Sequence, residues 1–259
     1  MRQELNGARG KYVGCDCIVA YGGLTVKLLF GMPFMLWVYG LDYPGWEGYV
    51  MLVSEALDRR RAIRDYDPGF SIGDDVLARL FSLVKLAPSA MNLQPWEFIV
   101  VRDAAAKKKL RACAMDQYQI ELASATVIVM GNTDMLAHFE PVYADLVALG
   151  GTTPERAEGS RRYVKRFDGD VRYRELWATR NAALAAMALM LAAQELGLDS
   201  GPMDGFYPDK ILAAFNVPAN FLPVMLVTLG RRAKEPPYPR QWRRDFAAMV
   251  HLDAFGAKK

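Results

Sequence analysis

A-P-S-A-M-N-L-Q-P-W, Ala87 to Trp96, is where the chain stops reading as generic helix. It follows an amphipathic segment carrying Val76, Leu77, Leu80, Phe81 and Val84, and it precedes an apolar run from Phe98 to Val101. Two prolines keep either periodicity from crossing it, so the pattern predicts a helix-to-strand loop. Its side chains also suit a flat ligand with polar edges. Ser89 offers a hydroxyl, Asn92 and Gln94 offer amides that donate and accept, and small neighbours leave the backbone open. Taken alone, the stretch reads equally well as a proline-rich connection with Trp96 plugging the core.

Upstream, Val53, Ala56, Leu57 and Ile63 fall at helical spacing and predict a helix running into R-R-R-A-I-R-D-Y, Arg59 to Tyr66, and ending before Asp67-Pro68-Gly69. Arg59, Arg60, Arg61 and Arg64 form the densest charge cluster in the sequence. Such a run is commonly a solvated face, and forked guanidiniums beside small residues are also what a phosphate requires. Ser71 to Asp75 predicts a cap before a helix from Asp75 to Leu86.

Downstream, a lysine-rich helix from Ala104 to Cys113 is expected to turn Lys107, Lys108 and Lys109 to water. Ala125 to Met130 is continuously apolar and predicts a strand buried on both faces. Met135 to Gly151 and Pro154 to Asp170 read as a helical excursion, a substrate lid or a surface helix pair. Glu175 to Leu196 predicts a long helix whose middle, Ala182 to Ala193, has no polar residue on any side. A helix apolar all round must be buried all round, which implies a second subunit packed on it in a C2 homodimer. Gly197 predicts the helix cap, and Leu198 to Phe206 a tight turn with exposed backbone N–H groups, either a second wall for a ligand pocket or a helix-to-helix turn; Asp209 to Phe215 predicts a short helix and Pro223 to Leu229 a strand. The proline-rich tail, Pro236 to Arg244, offers a second source of arginines.

The 259 residues, 52% hydrophobic and 24% charged, describe a soluble globular chain with room for a large core. A net charge of +3 from 32 basic and 29 acidic residues supplies no bulk field for nucleic acid. Three cysteines fit a reducing compartment, the cytoplasm. His138 and His251, the two histidines, sit in no hydrolytic or zinc pattern, so no metal site is expected, and an enzyme of this composition would depend on a cofactor. Residues 1–50 read as an appendage, with Met51 a candidate natural start. Their apolar run from Ile18 to Leu41 leaves anchor, signal-like segment and buried extension all open, its uninterrupted part from Leu28 being short for a membrane span.

Four motifs in register carry a family resemblance: R-R-x-x-R-D-Y at Arg60 to Tyr66, A-P-S-A-x-N-L-Q-P-W at Ala87 to Trp96, G-L-D-S-G-P-M-D-G-F at Gly197 to Phe206, and P-V-x-L-V-x-L-G at Pro223 to Gly230. Over residues 51 to 250 the chain resembles the FMN-dependent nitroreductases. The resemblance implies an α+β fold, with a central, mostly antiparallel sheet flanked by helices, and an intertwined homodimer with FMN at the subunit interface. By the family pattern Arg60, Arg61, the Ala62 backbone and Arg64 would hold the FMN phosphate and ribityl chain, joined by Arg240 or Arg243. Pro88, Ser89, Ala90, Asn92 and Gln94 would line the flavin from the partner subunit, and Pro202, Met203, Asp204 and Gly205 would lie against its ring. Ala62 stands where many members have Ser, and Asp204 where Glu is commoner. The implied activity is ping-pong hydride transfer from NAD(P)H through FMN to a small electron-poor acceptor such as a nitroaromatic, quinone or enone, with no catalytic side chain required. A flavin-binding module without turnover, and a membrane-attached flavin reductase or dehalogenase, are the alternatives.

Overall fold

A computed structural model describes residues 16–21, 24–29, 51–234 and 238–257, which fall in two compact units, Met1–Val50 and Met51–Lys259. In the first, β1 (Asp16–Tyr21) and β2 (Leu24–Leu29) pair antiparallel, with Asp16 opposite Leu29 and Tyr21 opposite Leu24. The apolar run that opens at Ile18 therefore begins as two strands, which its β-branched Ile18, Val19, Thr25 and Val26 favour. Its continuation from 30 to 41 lies outside the described residues.

In the second unit, α1 (Val53–Arg59) and α2 (Asp74–Val84) lead through a single 3-10 turn at Ala90–Asn92 into β3 (Trp96–Val101). The chain then forms α3 (Ala104–Cys113), capped by Asp103, the short α4 (Gln119–Leu122), and β4 (Ala125–Asn132). A helix pair follows, α5 (Phe139–Ala148) and α6 (Pro154–Lys165), and then the 25-residue α7 (Val171–Glu195). Asp170 caps α7 by accepting from Tyr173 N at 2.8 Å, and Gly197 ends it in the left-handed region at φ 67°. β5 (Asp199–Met203), α8 (Pro208–Ala214), β6 (Phe221–Gly230) and α9 (Phe246–Met249) complete it.

The sheet runs β3-β4-β6-β5 with every pair antiparallel, as the α+β expectation requires. Its register shifts between Val129 and Met130, where Pro223, lacking an N–H, stands opposite Met130. All eight residues of β4 are buried. Val127 and Val129 face Ala182, Ala186 and Leu189 of α7 with Leu80 and Val84 of α2. Ile128 and Met130 face Leu110 of α3 and Ile211 of α8. The two-residue period thus loads both faces of one strand with helices, and each fully buried aliphatic contributes about 1.5–3 kcal/mol. α7 lies so close to the sheet that a Cβ on Gly131 would stand 3.2 Å from the Ala178 backbone.

Several local expectations are corrected. α1 stops at Arg59 because Arg60 turns extended, at φ −57° and ψ 127°, and Ala62 then bridges Ser200 of β5 and Tyr66 bridges Arg232. No side chain caps α2, whose N-cap is Gly73. Lys107 does not face water: it is half-buried, donates to the Ala123 carbonyl, and burial lowers its pKa. Asp199 to Met203 is a strand rather than a turn, since β6 offers it a full ladder. Within this chain α7 is not buried all round: Leu176 and Leu184 are 43% and 47% exposed, on a stripe that also carries exposed Arg180. Trp96 packs in the core, as expected.

Candidate functional site

The arginine segment is extended because β5 gives it an edge. Ala62 bridges Ser200 in parallel, Ile63 N donates to Ser200 O at 3.0 Å, and Tyr66 bridges Arg232. Arg60, Arg61, Ala62 and Arg64 then line a cavity of about 460 Å³, closed on the other side by Tyr238, Arg240 and Arg243 of the tail. Both tail arginines reach it. Arg240 is steadied by the Leu57 carbonyl at 2.7 Å, and Arg243 by the carbonyls of Gln241 and Trp242 at 3.1 and 3.0 Å.

The electrostatics of this cavity call for an anion. Burial lowers the pKa of Arg60, and the neighbouring Arg240, Arg243 and Arg61 lower it further. Arginine does not give up its proton in proteins, so the strain stays as positive potential. Arg61 Nη1 donates to Arg60 O at 3.1 Å, but Arg61 Nε is buried with no partner. A buried, unpaired guanidinium N–H is costly unless an acceptor meets it.

The stretch from Ala87 to Trp96 is strained. Met91, Asn92 and Gln94 have φ of 56°, 56° and 45°, left-handed values that non-glycine residues seldom adopt. Its shape is held from several sides: Ala90 N donates to Asn181 Oδ1 at 2.7 Å, Gln94 N to Ser89 Oγ at 2.9 Å, and Gln94 Nε2 to Asn92 O at 3.2 Å. Asn181, a buried residue of α7, returns its own Nδ2 to Trp177 O at 2.7 Å. None of Pro88, Ser89, Ala90, Asn92 or Gln94 lines the arginine cavity of its own chain. Pro88 lines a separate one of about 310 Å³, between α1, α2 and α7.

Pro202 and Met203 end β5, Asp204 is exposed and Gly205 follows. A loop absent from the sequence expectations joins this end to the arginines. Gln117 Nε2 donates to Gly205 O at 2.7 Å, and Gln119 Nε2 donates to Gln117 Oε1 and lies against Met203 Sδ, both at 3.0 Å. Between them Tyr118 lines the arginine cavity and donates to Asp65 at 3.3 Å. Met115 and Asp116 just before are again left-handed. The only sequence sign was a polar Gln117-Tyr118-Gln119 between two buried residues, Cys113 and Ile120.

The model of the nitroreductase family matches residues 57–231. The chain belongs to the nitroreductase family. It is thus an oxidoreductase by descent, and the four motifs lie within or around the matched span. It is 32% identical over 193 residues, 74% of this chain and 94% of the relative, to MhqN of Bacillus subtilis, a protein named as an NAD(P)H nitroreductase. It is 33% identical over 191 residues, 72% of this chain and 89% of the relative, to the NADH dehydrogenase of Thermus thermophilus. Among solved nitroreductases, one from Exiguobacterium sibiricum in complex with FMN superposes with a TM-score of 0.69 at 27% identity, covering 78% of this chain and 97% of that one.

Proposed function

We propose that residues 51–259 are an FMN-binding domain and that the protein is an NAD(P)H-dependent oxidoreductase passing reducing equivalents to a nitroaromatic or quinone by a ping-pong cycle. One observation carries the reading: five arginines, Arg60, Arg61, Arg64, Arg240 and Arg243, line one cavity in which Asp65 is the single carboxylate among the described residues. A phosphomonoester dianion supplies both the acceptor and the charge this arrangement lacks. The relatives named for NAD(P)H and the neighbour solved with FMN support the same choice of cofactor and reductant.

When bound, FMN supplies the two-electron chemistry, and the protein holds and orients it. Arg60, Arg61, the Ala62 backbone and Arg64 take the phosphate and ribityl chain, and Arg240 and Arg243 close over them. Pro202, Met203, Asp204 and Gly205 would line the ring, where backbone N–H groups would favour its reduced, electron-rich form. Pro88, Ser89, Ala90, Asn92 and Gln94 line the ring of the other subunit's flavin in a homodimer. The exposed Leu176 and Leu184 of α7 support that assembly, because a second copy packed on α7 would cover them.

Purification of the full chain tests the scheme. The expected product is yellow, bleaches with NADH or NADPH under anaerobic conditions, and recovers its colour when a nitroaromatic or quinone is added. The Arg60→Ala/Arg61→Ala protein should emerge colourless. Full FMN content in that double variant would overturn the phosphate assignment, and a flavin that neither nicotinamide bleaches would leave a binding module. Initial-rate lines that intersect instead of running parallel would remove the ping-pong cycle.

A further inference from the structure

The arginine segment is fixed by a contact that lies outside its cavity. Tyr66, which ends the segment, is 2% exposed. A Cβ on Gly230 would stand 2.8 Å from Tyr66 Cδ1, and a Cβ on Gly201 would stand 2.4 Å from the Ile63 carbonyl oxygen, 2.5 Å from Thr228 Oγ1 and 3.1 Å from the Tyr66 hydroxyl. Only glycine leaves that slot open. Thr228 Oγ1 donates its one proton to Gly201 O at 3.1 Å, so it accepts at 2.8 Å from the Tyr66 hydroxyl. Backbone bonds on either side complete the seat: Ile63 N to Ser200 O at 3.0 Å, Asp67 N to Arg231 O at 2.8 Å, and Ala233 N to Asp65 O at 3.0 Å.

We propose that Tyr66 is a positioning residue for the anion cradle. Wedged in the slot left by Gly201 and Gly230 and hydrogen-bonded to Thr228, it sets where the extended segment rides on β5, and so where the Arg60 and Arg61 guanidiniums converge. The side chain touches no cofactor; it acts through the backbone that carries the arginines. This inference rests on the reading of the cavity as the FMN phosphate site.

The test compares FMN with riboflavin, which lacks the phosphate, by fluorescence titration of the apoprotein prepared from the full chain. In the wild type FMN binds more tightly. In Tyr66→Phe, which keeps the ring, and in Thr228→Val, which keeps the shape, that preference falls roughly five- to tenfold, the equivalent of one hydrogen bond. The double variant falls by less than the two single losses combined, because the bond between the Tyr66 hydroxyl and Thr228 Oγ1 is lost in both, while only Tyr66→Phe also gives up the 3.3 Å bond to the Thr228 carbonyl. Gly201→Ala, which pushes on the Ile63 carbonyl itself, falls at least as far. Riboflavin affinity stays close to wild type throughout. A purely structural role would weaken both flavins in parallel and leave their ratio alone, and an unchanged ratio overturns the proposal whatever the melting temperature does. Equal binding of FMN and riboflavin by the wild type would instead overturn the phosphate site, and the proposal with it.

Discussion

Burial pushes the Tyr66 phenol well above the ordinary tyrosine range, and the Asp199 carboxylate adds to the rise. A folded-state pKa above the unfolded one, about 10, contributes stability that is fully present below about pH 10 and is lost as pH rises through the folded value. The urea midpoint of the wild type should therefore fall more steeply above about pH 10 than that of Tyr66→Phe. Parallel losses in the two proteins would mean that other groups carry the alkaline transition. Asn181 is a second residue of this kind. Replacing it with Leu strips the acceptor from Ala90 N in a part-buried setting and should cost about 0.5–1.5 kcal/mol in urea denaturation. A cost below about 0.5 kcal/mol, the level of an ordinary surface change, would show that the strained turn holds without it. The arginines of the candidate site were legible in the sequence because charge density at Arg59 to Arg64 is visible in one dimension. Asn181 and Gln117 were not, since their partners Ala90 and Gly205 lie 91 and 88 residues away.

The elements that could be read were those whose burial is written in their own pattern. β4 is apolar without interruption and is buried on both faces, and α7 appears within a few residues of its expected ends. Elements decided by a distant neighbour were misread. Arg60 to Arg64 has good helix formers, yet β5 draws it into an extended edge; Asp199 to Met203 has the composition of a turn, yet β6 makes it a strand. α7 sits close on β4 at Gly131. Gly131→Ala inserts a methyl group 3.2 Å from the Ala178 backbone and should destabilise by about 1–3 kcal/mol, a fall of several degrees in melting temperature. An unchanged melting temperature would mean that the helix can ride outward without loss.

In the molecule as a whole, Leu176 and Leu184 stand 43% and 47% exposed on α7. Leu184→Glu should yield a monomer by light scattering, and because the Pro88 to Gln94 turn is assigned to the other subunit's flavin, that monomer should lose FMN. A monomer that retains FMN at wild-type affinity would remove the turn from the other subunit's flavin site. A different consequence follows from the edge pairing of the arginines with Ser200 and with Arg231 to Ala233. Residues 60–66 are synthesised early, but the strand and the residues that seat them emerge far later. At ordinary elongation rates of about 5–20 residues per second, the arginines wait on the order of ten seconds or more for their edge. The cofactor cradle is therefore among the last features the nascent chain can assemble, and loading with FMN must follow synthesis instead of guiding it.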